Sequence, residues 1–371
     1  MSYIDKWIDE IKLKQIKEIE ILDLTKVWED EKTLIWKAKK VFNPSPFYPI
    51  YQYMDYYSPH ILPLILLKKI LNMDNLFCEE FDNKKKYYSG LRTIDKDIKR
   101  VYGALKNTQT IQSREQLVSK VSLAMIKDVA STEDLYPDHQ NIVFCGGKDS
   151  LNILLIPWRK PIIVVSASPN FQLVKQFIIN NQINVSEIIE LHHEPSKYTE
   201  IEVLSNASLN NLNHCRWINQ FMSLSVKYPH CIFWKGQLGD TFLTNNWKRY
   251  RTLKATPLDF FKGYSRLHQE FIENLWNRGA MWQGAHMSNL RLATDKLVLS
   301  IYHGKEMVKV LKEMDLTRCI DTDIRALIGD KITNKKVVYP KNNPSPPKLS
   351  REKSLSSPSY FKEIYSRVTK S

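Results

Sequence analysis

Four short apolar runs, separated by segments of helical periodicity, are the feature that most limits the fold of this 371-residue chain. Helical candidates lie between the runs, at Phe171–Asn181 and Leu212–Tyr228. Runs that are apolar at every position are typical of parallel strands buried between helices. The pattern predicts an α/β fold with a parallel sheet in the middle of the chain. The predicted strands are Ile142–Phe144, Ile162–Val165, Ile188–Leu191 and Cys231–Trp234.

The segments beside these runs have different patterns. Ser113–Gln116 has the pattern of a capping box, and apolar residues then repeat at helical spacing, which predicts a helix over 114–130. From Asp259 to Gly329 the pattern is mostly helical and predicts no further strand. The centre of the chain is therefore expected to be a parallel sheet with a mostly helical C-terminal part.

The two ends of the chain lack a catalytic motif. Residues 1–110 combine amphipathic helical stretches, such as Tyr3–Ile21, with turns rich in proline and tyrosine, and they predict an accessory domain for substrate recognition. Residues 339–371 are rich in proline, serine and lysine, a composition that favours extended structure. The predicted division is an accessory domain over 1–110, a central domain over 111–338 and a basic tail over 339–371.

The composition restricts the class of protein. A net charge of +14 indicates an anionic partner such as ATP, an acidic substrate or RNA, although an A/T-rich genome explains the lysines equally well. No stretch of about 18 apolar residues and no signal-peptide pattern is present, so we expect a cytoplasmic protein without a membrane partner. The five cysteines form no CxxC pair, which favours reduced thiols over structural zinc.

The segment Ile142–Ser150 predicts a strand, a glycine turn and the start of a helix. Gly146 and Gly147 would let backbone N–H groups approach a phosphate, and Ser150 would donate its hydroxyl. Asp149 would hold Mg²⁺ against the phosphates. The segment therefore predicts a phosphate-binding loop.

The string Cys145–Ser150 resembles the SGGxDS loop of the N-type ATP pyrophosphatases, the family of asparagine synthetases, β-lactam synthetases, lasso-peptide cyclases and several tRNA-modifying enzymes. Cys145 stands where the family has serine and is a poorer hydrogen-bond donor. A thiol nucleophile at Cys145 is the alternative interpretation.

Three later segments resemble the synthetase domain of asparagine synthetases, as do the capped helix over 114–130 and the strand at Ile188–Glu194, so the resemblance spans roughly residues 113–340. Phe233–Phe242 resembles the GEGADELF strand and loop, which places Asp240 on the second metal-binding aspartate, although Gln237 and Thr241 replace acidic residues. The other two segments are Ser300–Val308, which resembles PFLDHxLVEF, and Ile324–Leu327, which resembles the end of KxxLRxA.

The family lysine of that last motif is thought to stabilise charge in the transition state, and its position is Asp321 here. Arg318 and Lys331 are our candidate catalytic cations in its place, with Lys335 and Lys336 as further alternatives.

The resemblance implies a HUP-like, Rossmann-like ATP pyrophosphatase domain that uses ATP and Mg²⁺ as cofactors. The implied metal ligands are Asp149 and Asp240. The implied ATP and pyrophosphate contacts are Cys145, Gly146, Gly147, Lys148, Asp149, Ser150, Gly236 and, at the end of the second strand, Val165, Ser166 and Ala167.

The implied reaction is adenylation of a carboxylate on a small molecule or peptide, followed by amide or lactam formation with an amine. Residue 2 is serine, whereas glutamine-dependent relatives expose a cysteine there, so the resemblance implies an amine donor or partner protein instead of a built-in glutaminase. Two alternatives remain open at this stage. They are a tRNA-modifying enzyme, in which nucleic acid is the partner, and a degenerate nucleotide-binding protein that has lost catalysis.

Overall fold

A mixed five-stranded sheet forms the N-terminal part of the protein. The computed structural model describes residues 16–23, 27, 30, 33–42, 50–60, 63–64, 67, 99–101, 108–192, 217–236, 239, 243–244, 287, 290–291, 293–320 and 322–341. The strands lie in the order β1-β2-β4-β3-β5, with β1 and β2 parallel and the other neighbours antiparallel. They are β1 (Ile16–Asp23), β2 (Ile35–Phe42), β3 (Ile50–Tyr53), β4 (Tyr56–Ser58) and β5 (Lys99–Val101).

The first strand corrects the predicted helix at Tyr3–Ile21. Residues 16–21 are extended and pair with β2, while residues 3–15 lie outside the described part of the chain. Ile16 and Ile19 have helical spacing, but Ile19 and Ile21 alternate at strand spacing, and β-branched side chains favour the strand. The sequence of this segment fits a helix or a strand, and pairing with β2 makes it a strand.

The rest of the described chain alternates strands and helices. The helix that begins after Ser113 is longer than predicted, and the Ser113 side chain accepts a hydrogen bond from the Gln116 amide at 3.2 Å, as an N-cap should. The elements are α1 (Arg114–Leu135), β6 (Gln140–Phe144), a 3₁₀ turn (Lys148–Ser150), α2 (Leu151–Leu154), β7 (Ile162–Ala167), α3 (Asn170–Asn180), β8 (Val185–Leu191), α4 (Ile218–Lys227), β9 (Cys231–Lys235), β10 (Leu297–Ser300), α5 (Lys305–Glu313), α6 (Leu316–Cys319) and α7 (Arg325–Thr333).

Strands β6 to β10 form a second sheet, in the order β10-β9-β6-β7-β8. Every neighbouring pair in this sheet is parallel. The first strand along the chain, β6, is central, with β7 and β8 on one side and β9 and β10 on the other. This is the order of a doubly wound, Rossmann-like sheet. The predicted α/β fold with a parallel sheet is confirmed.

Strand β10 was not predicted, and the prediction of no strand after Asp259 is wrong at Leu297–Ser300. A run of only four apolar and small residues fits a helix turn as well as a strand. Its pairing with β9 at the edge of the sheet is a long-range interaction, and the local pattern does not contain it.

Two hydrophobic cores enclose the parallel sheet. One face packs on the helices α1, α2, α3, α5 and α7. The other face packs on α4 and on buried residues of the N-terminal sheet, including Leu22, Trp36 and Tyr57. The N-terminal sheet thus shares its core with the central domain, although the boundary predicted at residue 110 stays a prediction.

Candidate functional site

The predicted loop lies at the point where the strand order of the parallel sheet reverses. The chain leaves β6 towards β7 on one side and leaves β9 towards β10 on the other, so a crevice opens between the carboxyl ends of β6 and β9. Ligands of open α/β sheets bind at such a crevice. Residues 145–150 follow β6, and residues 236–239 follow β9.

Gly236 and Gly239, which follow β9, pack directly against the loop that follows β6. A Cβ atom added to Gly236 would lie 2.5 Å from the Ser150 Cα, and one added to Gly239 would lie 2.9 Å from a ring carbon of Tyr302 and 3.1 Å from the Asp149 Cβ. Only glycine fits such close approaches of backbone to backbone. The chain after β6 and the chain after β9 therefore meet at Gly236, Gly239 and Asp149, while the predicted pairing of Asp149 with Asp240 stays a prediction.

Side chains hold five successive carbonyl groups of the loop. The donors come from the loop itself, from the end of β7, from the start of α3 and from the segments that follow β10 and α7, so separate parts of the chain fix the same short backbone. The bonds are Ser166 Oγ to Cys145 O (2.6 Å), Asn170 Nδ2 to Gly146 O (2.7 Å), Ser150 Oγ to Gly147 O (3.0 Å), Tyr339 Oη to Lys148 O (2.8 Å) and Tyr302 Oη to Asp149 O (2.9 Å).

Holding the carbonyls fixes the direction of the amides. In a planar trans peptide the C=O of one residue and the N–H of the next point in opposite directions. The amides of Gly146 and Ser150 are used inside the loop, where they donate to Ser150 Oγ at 3.0 Å and to Gly147 O at 3.1 Å. The N–H groups of Gly147, Lys148 and Asp149 therefore each point away from the held carbonyl of the preceding residue, an arrangement that suits an anion-binding concavity.

Two features differ from the prediction for this loop. The Ser150 hydroxyl is buried and bonds within the loop, so it shapes the backbone and does not point at a ligand. The helix after the loop is only one 3₁₀ turn and one α turn, because the chain reaches Pro157 soon afterwards. The amides and nearby side chains, not a long helix dipole, would hold an anion here.

Asp149 belongs to a charged network that includes two residues of the Ile324–Leu327 region. Arg325 donates from Nη1 to Asp149 Oδ1, and it clamps Asp323 through Nε to Oδ1 at 2.9 Å and Nη2 to Oδ2 at 2.6 Å. Lys148 Nζ lies 3.8 Å from Asp323 Oδ2. Two anions and two cations thus alternate at the mouth of the loop.

The network shifts the protonation of its members. Burial alone would raise the pKa of Asp323, but hydrogen bonds and charge from Arg325, together with the charge of Lys148, outweigh it and hold that pKa below its ordinary value. Burial would likewise lower the pKa of Arg325, but Asp323 and Asp149 raise it instead. Both groups stay charged at neutral pH.

Cys145 is fully buried, with its Sγ 3.9 Å from Gly147 O. Burial raises the pKa of the Cys145 thiol to about 12, more than the hydrogen bonds of Ser150 and Gly147 lower it. A thiol with that pKa is protonated at neutral pH, and the thiolate is the nucleophilic form. The surroundings of Cys145 therefore do not favour the alternative of a thiol nucleophile.

The predicted residues at the end of β7 support the loop from one side. Val165 O accepts the Cys145 amide at 2.8 Å, and Ser166 makes the carbonyl contact described above. Val165 and Ala167 are buried in the core shared with the N-terminal sheet. In the structure these three residues position the loop, and their contact with a nucleotide stays a prediction.

The two predicted catalytic cations lie elsewhere. Arg318 is exposed and bonds to Gln112 Oε1 at 2.9 Å, with its Nε 3.5 Å from Asp315. Lys331 is exposed on α7, six residues after Arg325, which places it about 9 Å along the helix axis and about 120° around it. Arg325 contacts the carboxylate of Asp149 in the loop. The sequence analysis did not propose Arg325 as a catalytic cation, although it lies in the segment that resembles KxxLRxA.

Residues 337–341 pass across the loop. Tyr339 bonds to Lys148 O, its ring lies 5.5 Å from that of Phe177, and Lys148 Nζ donates to Lys341 O at 2.6 Å. Val338 is tied to α3 by a 2.8 Å bond from its amide to Asn181 Oδ1. Packing therefore continues at least to residue 341, slightly beyond the predicted start of the tail at 339.

Asp149 is chemically suited to Mg²⁺, as the resemblance implies. Its side chain is 36% exposed at the mouth of the loop and offers hard carboxylate oxygens. Mg²⁺ commonly uses only one or two protein carboxylates and completes its shell with phosphate oxygens and water. No group of three or more metal-binding side chains occurs among the described residues, and the second predicted ligand, Asp240, lies outside them together with Gln237, Thr241 and Asp321.

Comparison with known proteins adds little to this geometry. No protein-family model matches the chain, and no curated protein matches it. One solved structure to which it is similar is the U34-tRNA thiolase NcsA from Methanococcus maripaludis with its 4Fe-4S cluster, at 12% identity over 69% of this chain and 72% of that one, with a TM-score of 0.30. A likeness of that strength supports no conclusion about this chain.

None of the described helices is long and apolar enough to cross a membrane. The described cysteines Cys145, Cys231 and Cys319 form no disulfide bond.

Proposed function

We propose that this chain is a Mg²⁺- and ATP-dependent ligase that activates a carboxylate as an adenylate and then transfers the acyl group to an amine. The observation that carries the proposal is the row of five held carbonyls at the switch point of the sheet, from which we infer that the amides of Gly147, Lys148 and Asp149 are directed towards an anion. A concavity of amides beside two cations suits an anion with several negative charges.

The proposed roles follow from the positions of the residues. The amides of the loop hold the β- and γ-phosphates, and Asp149 holds Mg²⁺, which neutralises the charge of the phosphates when it is bound. An oxygen of the substrate carboxylate attacks the α-phosphorus, the bond to the bridging oxygen breaks, and pyrophosphate leaves. The amine then attacks the acyl carbon of the adenylate, loses a proton and displaces AMP.

The amine and the carboxylate can belong to one substrate, which gives a lactam, or to two substrates, which gives an amide. We propose that the N-terminal region, whose mixed sheet packs on one face of the parallel sheet, helps to bind the small-molecule or peptide substrate. An amine donor delivered by a partner protein is the other form of this proposal.

The test is binding of MgATP and release of pyrophosphate that depends on an added carboxylate substrate. Asp149→Asn and Asp149→Ala should reduce MgATP binding or pyrophosphate release by at least about tenfold, because they remove a charge that the metal requires. Asp134→Asn is the matched control, since Asp134 is exposed at the end of α1 and pairs with Arg159 at 2.5 Å. Wild-type protein that binds no ATP would refute the ligase and leave a protein that keeps the fold without turnover.

A tRNA-modifying enzyme with the same ATP chemistry is the second candidate, and the net charge of +14 favours it. Binding of tRNA should then weaken steeply as salt rises, because phosphate contacts release counterions. Affinity for tRNA that does not change between low and physiological salt would speak for the peptide or small-molecule substrate instead.

A further inference from the structure

Arg325 is held more firmly than any other described cation at the loop. Its side chain is only 10% exposed, and Asp323 binds it through two guanidinium nitrogens, the geometry that fixes an arginine most strictly. Asp323 also accepts the Arg325 amide at 3.0 Å, so the carboxylate fixes both the start of α7 and the direction of the side chain.

The backbone of Arg325 is also held by a hydrogen bond. Asn152, which follows the loop in α2, donates from Nδ2 to Arg325 O at 3.0 Å. A Cβ added to Gly329 would lie 2.8 Å from a methyl of Leu155, the residue that follows α2, so α7 packs closely against this part of the chain. The short helix that continues the loop thus sets the position of the guanidinium relative to the loop.

The guanidinium has donors to spare at the site. Three of its N–H groups bond to the carboxylates of Asp149 and Asp323, and the group carries further N–H donors. Asp323 is already paired with Lys148 as well, and the guanidinium contacts the carboxylate proposed to hold the metal. A polyphosphate seated on the loop amides would meet this guanidinium beside Asp149.

We propose that Arg325 contacts the departing pyrophosphate, an inference that rests on the proposed function. Arg325 would thereby supply the positive charge that the resemblance assigns to a lysine at the position of Asp321. As the bond between the α-phosphorus and the bridging oxygen breaks, that oxygen takes the electron pair, and its added negative charge leaves with pyrophosphate. A fixed cation at the loop stabilises this charge without reorganising. Asp323 acts as the positioning residue that aims the guanidinium.

The test measures binding of magnesium pyrophosphate and of MgATP to the full chain by calorimetry. Arg325→Gln should weaken pyrophosphate binding by about ten- to a hundredfold, the value of a charged hydrogen-bond contact, and Arg325→Lys should fall in between. Asp323→Asn should give a smaller loss, because the guanidinium remains but is aimed less strictly. Arg159→Gln is the matched control, since Arg159 is an exposed arginine paired with Asp134 and Glu133 away from the loop.

A purely structural role for Arg325 predicts a different pattern, and chemical rescue separates the two. Added guanidinium ion, at concentrations below those that unfold the protein, should restore pyrophosphate binding to Arg325→Ala. Rescue that fails while Arg325→Ala keeps the melting temperature of wild type would overturn the proposal, as would unchanged pyrophosphate binding by Arg325→Gln. If wild-type protein binds neither ATP nor pyrophosphate, the proposed function itself is refuted.

Discussion

Gly147 and Gly146 are neighbours in the loop, but the structure constrains them differently. Gly147 has φ 142° and ψ −160°, a backbone conformation that is nearly restricted to glycine. Gly146 does not have a positive φ. A Cβ added to Gly146 would meet the ring of Phe144 at 3.6 Å, an ordinary van der Waals contact. The two residues therefore form a natural pair of test and control.

Gly147→Ala should impair pyrophosphate binding, whereas Gly146→Ala should leave it within a few-fold of wild type. A side chain at Gly147 costs about 1–3 kcal/mol in that conformation, and the loop would relax by turning its amides. Titration of both variants with magnesium pyrophosphate measures the difference. Equal losses for the two variants would contradict the view that the amide direction matters.

The sequence predicted the loop, its aspartate and two of the residues that hold the loop, Ser150 and Ser166, although it gave those two serines a role in binding ligand. The loop is a contiguous pattern in the sequence, which contains Gly146, Gly147 and Asp149. Tyr302 and Tyr339 act through hydroxyl contacts with backbone carbonyls, and such contacts leave no periodicity or spacing in the sequence. Arg325 entered the sequence analysis only as part of a helix motif, because its contact with Asp149 joins residues 176 apart in the chain and leaves no local pattern.

At the level of elements, α5 begins on a carboxylate from another helix. Asp128 of α1 accepts the amide of Glu306 at 2.9 Å on one oxygen and the amide of Met307 at 3.0 Å on the other. These are amides of the first turn, which have no partner within the helix itself. Gly304 allows the approach, since a Cβ there would lie 2.1 Å from the Asp128 carboxylate.

Asp128→Ala should lower the free energy of unfolding by about 1–3 kcal/mol, because two first-turn amides lose a charged acceptor. Gly304→Ala should have a similar effect by displacing the same carboxylate. Urea unfolding followed by circular dichroism measures both, with Lys127→Ala, an exposed neighbour on α1, as the control. A midpoint for Asp128→Ala that equals the control would exclude the capping role.

The elements also show why helices were predicted better than the edges of the sheet. The capping pattern at Ser113 and the repeat after it are local, and α1 begins at Arg114 as predicted. Strands β1 and β10 are identified by the strands beside them, β2 and β9, and their own sequences fit either structure.

At the level of the whole molecule, a buried polar chain links α1 to the amino end of the parallel sheet. Asn141 at the start of β6 donates to Glu133 Oε1 at 3.1 Å and accepts the Trp234 indole N–H at 2.8 Å. Burial raises the pKa of Glu133, and the hydrogen bond from the Arg159 amide and the charge of Arg159 offset only part of that effect. The folded protein therefore binds a proton at Glu133 more tightly than the unfolded chain does.

Because the pKa of Glu133 is higher in the folded protein than in the unfolded chain, the stability of the protein depends on pH. The contribution of Glu133 is fully present below the unfolded pKa of about 4.3 and is lost as pH rises through the higher folded pKa. Glu133→Gln keeps an acceptor oxygen and removes the titration, so its stability relative to wild type should increase as pH rises towards neutrality. Thermal unfolding of both proteins at a series of pH values measures this.

Parallel stability curves for wild type and Glu133→Gln would refute the assignment. Asp323 does not interfere in the same range, because its lowered pKa makes its contribution disappear only as pH falls below the ordinary aspartate value of about 3.9.

The five donors that hold the loop carbonyls are spread from Ser150 to Tyr339, a distance of most of the central domain along the chain. During synthesis the ribosome releases β6 and the loop long before Tyr302, and Tyr339 later still. The sheet order around β6 can form in stages, but the loop reaches its final shape only when the last donor arrives. The loop therefore cannot take the shape described here before Tyr339 has left the ribosome.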